Sequence, residues 1–98
     1  MVSIVSHLGS LYVYVGEASK ATEPPHPDTH LPVLAGWESF TGWYWFATEM
    51  DEDGTCFGFV QGMHDELGYF NSNELDSIDM VWKIKDIDLP YAGRQGVA

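Results

Sequence analysis

The fold turns on Trp43-Tyr44-Trp45-Phe46-Ala47-Thr48-Glu49, followed by Asp51-Glu52-Asp53-Gly54 and Thr55-Cys56-Phe57-Gly58-Phe59-Val60-Gln61. Aromatic and β-branched residues fill both outer runs, which read as strands. The Asp-Gly pair that closes the acidic segment between them is a hairpin signal. Period-two alternation puts Trp43, Trp45 and Ala47 on one face and Tyr44, Phe46 and Thr48 on the other. Both faces are apolar, so at least one must be covered by another element or by a partner. Gly58, set among bulky neighbours, leaves space for an aromatic ring.

Downstream, Glu66-Leu67-Gly68-Tyr69-Phe70 reads as a third strand. Asn71 to Ile78 then reads as a short helix, with Asn71 or Ser72 as its cap and Glu74 where a capping-box acid belongs. Val81 to Asp88 alternates weakly and is expected to be an edge strand, guarded by Lys83 and Lys85. Upstream, Ile4 to Gly16 reads as a strand ending in Leu11-Tyr12-Val13-Tyr14-Val15. Pro24, Pro25, Pro27 and Pro32 exclude a regular helix or a central strand and mark a surface loop. Val33 to Phe40 is ambiguous between a short strand and a turn. The fold expected is α+β: a small antiparallel sheet of four to five strands with one or two short helices. It forms a single domain over 1–98, with a Pro-rich loop over 17–36 and a frayed tail over 91–98.

Ninety-eight residues hold one domain, and 45% apolar residues, with 4 Trp, 5 Tyr and 5 Phe, suffice for a core. The longest uncharged apolar stretch, Phe40 to Thr48, is too short to cross a bilayer. Met1 to His7 carries no basic residue ahead of its apolar patch, so a secretory signal is not expected. Cys56 is the only cysteine. No internal disulfide can form, and a reducing, cytoplasmic setting is expected.

Charge narrows the function classes. The formal net charge is -11, from 15 acidic and 4 basic residues. Direct nucleic-acid binding needs clustered Lys and Arg, and anionic membranes demand the same; both are disfavoured. A basic partner is the natural counterpart. Nine of the fifteen acids lie between Glu49 and Asp79, with no Lys or Arg among them.

Motifs for catalysis fail in turn. Asp51-Glu52-Asp53-Gly54 looks like the start of a calcium loop, but Gly62 stands where a twelfth-position Glu is required. His26 and His30 have the spacing of a helical zinc pair, yet Pro27 lies between them and a solvated loop is the better reading. His64-Asp65-Glu66 lacks a companion nucleophile, and Cys56 in an aromatic strand reads as a buried apolar residue. No phosphate-binding or nucleophile-elbow motif is present. The expectation is a non-enzyme with no catalytic residues, no metal and no cofactor.

Over Trp43–Ile78 the chain resembles a family of small proteins that carry a domain of unknown function, found in bacteria, plasmids, integrative elements and phages. Its core is W-x-W-Y-x-T-E-F-D, F-F-G-x-V-x-G and E-L-G-Y-F-S-L-x-E-L-E. Here the matching segments are Trp43 to Asp51, Phe57 to Gly62 and Glu66 to Asp76, roughly the middle third. After the helix the family carries Gly-Leu-Pro-Ile-Glu-Arg-Asp-Leu, where this chain has Met80 to Ile87, and the segment 23–32 is peculiar to this sequence. The resemblance implies an α+β fold and a phage or mobile-element setting. It brings no activity and no site residues.

The function expected is binding: an inhibitor or adaptor that docks on a basic host protein, most concretely a nucleic-acid mimic of the anti-CRISPR or anti-restriction type. Glu49, Asp51, Glu52, Asp53, Asp65, Glu66, Glu74, Asp76 and Asp79 are its candidate contact residues. The alternative is a homo-oligomeric accessory module, a homodimer at its simplest, joined through an aromatic face of Trp37, Trp43 and Trp45.

Overall fold

A computed structural model describes residues 1–85. The chain forms two antiparallel sheets. The first contains β1 (Val2–His7), β2 (Ser10–Val15) and β3 (His30–Pro32), in that spatial order. The second contains β4 (Ala35–Ser39), β5 (Tyr44–Met50), β6 (Thr55–Gln61), β7 (Asp65–Asn71) and β8 (Val81–Lys83), in the order β7-β6-β5-β4-β8. Strands four to seven form a meander. The helix α1 (Ser72–Ser77) then carries the chain back across the sheet to place β8 beside β4.

The α+β expectation is therefore corrected. Of the described residues 52% are strand and 11% helical, so the fold is β-rich, with one α-helix and a single 3-10 turn at Ala18–Lys20. The division into two sheets escaped the sequence reading for three local reasons. The presumed single strand from Ile4 to Gly16 turns back at Leu8-Gly9, whose φ angles are 51° and 86°. The Pro-rich loop ends early, because His30–Pro32 pairs with β2 as an edge strand, the one place in a sheet where Pro32 is tolerated. The ambiguous stretch after Val33 contains β4, in the interior of the second sheet.

Adjacent Phe46 and Ala47 explain the layering. Both are fully buried, on opposite faces of β5. Phe46 and Phe59 pack against Leu11, Val13 and Val33 of the first sheet and its exit. Ala47 and Cys56 pack with Ala35, Trp37 and Leu75, the last supplied by α1. Each faceful of large apolar side chains contributes roughly 1.5–3 kcal/mol per fully buried Phe or Leu. So both apolar faces of the central hairpin are covered from within the chain.

Gly58 has a different role from the one expected. A Cβ there would run into the Phe46 carbonyl oxygen, beside the irregularity between Ala47 and Glu49 in the β5–β6 register. The missing side chain admits neighbouring backbone, not a ring. A ring does sit over Gly62, where a Cβ would meet Trp43. The expected β8 is shorter than read, at Val81–Lys83. Its continuation to Asp88 and the tail from Tyr91 lie outside the described residues. No helix among the described residues is long and apolar enough to cross a membrane.

Candidate functional site

The acidic turn between β5 and β6 is built by short-range chemistry. Asp51 N–H donates to the Thr55 carbonyl at 2.8 Å, and Gly54 N–H donates to the Asp51 carbonyl at 3.1 Å. Gly54 has φ +91°, a conformation that favours glycine, and a Cβ there would lie 2.5 Å from Asn73 Nδ2 and force that amide to shift. Asp53 Oδ1 accepts the Thr55 N–H at 3.0 Å. That backbone hydrogen bond is the main cause holding the Asp53 carboxyl below its ordinary pKa.

The same turn is tied to the start of α1. Asn73 Nδ2 donates to the Asp53 carbonyl at 3.2 Å, and Ser72 N–H donates to the Gly54 carbonyl at 2.8 Å. Asn71 caps the helix, its Oδ1 accepting the N–H groups of Asn73 at 2.9 Å and Glu74 at 3.2 Å. These bonds fix Asp51, Glu52 and Asp53 next to Glu74 at one end of the second sheet, with Glu49 entering from β5. All five side chains are exposed.

The remaining candidates diverge from that end. Asp76 Oδ1 accepts the Trp37 indole N–H at 2.8 Å, and Lys83 Nζ lies 5.8 Å from the Trp37 ring. Asp76 therefore serves the seating of the helix as well as the surface. Asp79 follows the helix and lies beside Trp43. Asp65 and Glu66 sit at the other end of β6, opposite Gln61 and Val60, whereas the turn adjoins Thr55. That separation is roughly 20 Å at the strand rise. The nine acids thus form one cluster and two outliers groups, not a single row. Among the described residues the sole acid–base side-chain contact is His26 Nδ1 with Asp28 Oδ2 at 3.7 Å, an ion pair only when the imidazole is protonated, so none of the nine is paired with a described cation. Among the described residues no three potential ligands converge on a metal position.

The aromatic set also separates. Trp37 is 1% exposed and packs edge-on against Phe70, so it belongs to the core and is withdrawn as an interface residue. Trp43 and Trp45 stack with centroids 5.9 Å apart, and Trp43 is partly exposed. They wall an open groove of about 420 Å³ together with Phe40, Ile78, Asp79 and Met80. Phe40, Ile78 and Met80 escaped the sequence reading. Phe40 and Met80 meet through a backbone bond, Phe40 N–H to the Met80 carbonyl at 2.8 Å, which no local pattern announces.

One further reading changes. His30 is buried between Tyr12 and Tyr14, at centroid distances of 6.1 and 4.9 Å, and is not part of a solvated loop. Its Nδ1 accepts the His26 N–H at 3.1 Å and lies 2.8 Å from Thr29 Oγ1. Cys56 is buried, its Sγ donating to the Gly54 carbonyl at 3.4 Å, and burial pushes its thiol pKa up. His64 follows the far end of β6, away from that thiol. The chain matches no family model, no curated protein and no solved structure, so the resemblance over Trp43–Ile78 stands on its residues alone.

Proposed function

We propose that the protein is a non-enzymatic binder of a basic protein surface, acting as a nucleic-acid mimic inside the host cell of a phage or mobile element. The observation that supports this is the acidic end of the second sheet. Asp51, Glu52, Asp53 and Glu74 are stitched into one corner, exposed and, among the described residues, without a cationic partner. The carboxylates stand in for phosphates, and the hydrogen-bonded turn fixes the backbone that carries them, which lowers the ordering cost of contact. A net charge of -11 steers the molecule toward a cationic groove before contact.

The mimic is confined to that corner. Asp65 and Glu66 contribute to the long-range field but lie too far along β6 to enter the same contact. The test is replacement of Asp51, Glu52 and Asp53 together by Lys. Binding to a basic nuclease at low salt should be lost while the circular dichroism spectrum is retained. Undiminished binding by the folded variant would refute the assignment.

A further inference from the structure

The groove beside Trp43 adds a second contact to this reading, on which the inference rests. Four large apolar side chains ring it in the open: Phe40 is 73% exposed, Met80 64%, Ile78 49% and Trp43 37%. Its volume of about 420 Å³ falls within the range of roughly 300–1,000 Å³ typical of ligand sites. Met80 holds φ at 70°, a conformation that costs a non-glycine residue free energy and that recurs at functional positions. Its strained backbone keeps the side chain on the groove wall.

The charge around the groove selects the occupant. Asp79 is part of the lining, no Lys or Arg among the described residues is, and Glu74 and Asp76 lie on α1 just before it. A second copy would bring the same carboxylates against their own counterparts in a partly dehydrated contact, and like charges there are costly. A basic segment meets the opposite situation. We infer that the groove receives one bulky apolar side chain of the partner protein, with flanking Lys or Arg residues of that segment directed to Asp79 and its acidic neighbours. The acidic corner sets the rate of encounter and the groove sets the residence time.

A pair of peptides separates the two contacts: Lys-Arg-Leu-Arg-Lys and the same peptide with Ser in place of Leu, titrated against the full chain at low salt by indole NMR shifts. The Leu peptide should bind at least fivefold tighter and shift the Trp43 indole signal. The double variant Phe40→Ser, Met80→Gly should erase that preference while still binding both peptides. Glycine removes the Met80 side chain and relieves its backbone, and Phe40 is exposed, so the variant should keep the wild-type melting curve. Equal binding of both peptides by the wild type would overturn the groove assignment and leave the basic-partner reading intact. Failure of both peptides to bind would count against both readings. A wild-type dimer that this variant converts to monomer would overturn the inference in favour of a second copy.

Discussion

Gly58 and Gly68 face each other across β6 and β7, yet only one of them is required. A Cβ on Gly58 meets the Phe46 carbonyl, backbone that cannot rotate away, whereas a Cβ on Gly68 meets nothing within 4 Å. Gly58→Ala should therefore lower stability by about 1–3 kcal/mol, as overpacking does. Gly68→Ala should raise it by roughly 0.5–1 kcal/mol through a less flexible unfolded chain. Thermal melts of the two variants check this, and equal melting temperatures would show that the β5–β6 approach is misread. The sequence marks both glycines but not the difference, because the difference lies in the backbone irregularity beside Ala47 and not in neighbouring side chains. Cys56 is a residue whose character was legible, since a small thiol in an aromatic strand suits a core. Buried, and with its pKa raised by desolvation, it should resist iodoacetamide in the native protein at mildly alkaline pH and react once urea unfolds the chain. Rapid labelling of the folded protein would contradict its placement.

Elements were legible where turn chemistry was explicit. The β5 and β6 strands and their acidic turn follow from alternation and Asp-Gly, and α1 follows from Asn71, which does cap it. The first hairpin was hidden by Leu8-Gly9. Both residues have positive φ, the geometry of a two-residue type I′ turn, but Leu at the first position lacks the usual Asn or Asp. Leu8 is also 92% exposed, so nothing in the core explains it. Leu8→Asn should stabilise the protein by about 0.5–1 kcal/mol, since Asn tolerates the left-handed conformation better. Urea titration checks it, and a loss of stability would argue for a different turn. Similarly, β3 was masked by prolines that an edge strand accepts, and His30 was misplaced with it, because burial between two tyrosines depends on pairing with β2.

At the scale of the molecule, two sheets and one helix gather the exposed Phe40, Trp43, Ile78 and Met80 around one groove and turn the densest acids toward one end. Composition disclosed the sign and size of the charge. It did not disclose that Asp65 and Glu66 sit away from the turn, nor that Asp76 is shared with Trp37, because both depend on strand register and on the path of α1. The exposed corner of Asp51, Glu52, Asp53 and Glu74 is what remains of the candidate set as a single surface. Electrostatic recognition of this kind weakens steeply with ionic strength, since the Debye length shrinks from about 10 Å at 0.1 M salt to about 3 Å at 1 M. The most direct test immobilises the wild type and the Asp51→Lys, Glu52→Lys, Asp53→Lys variant side by side, loads host lysate at low salt, and elutes with rising salt and with duplex DNA. A nucleic-acid-binding protein held by the wild type alone, and released by both eluents, is the result expected; equal retention on the two surfaces, or elution indifferent to salt and DNA, would contradict the account.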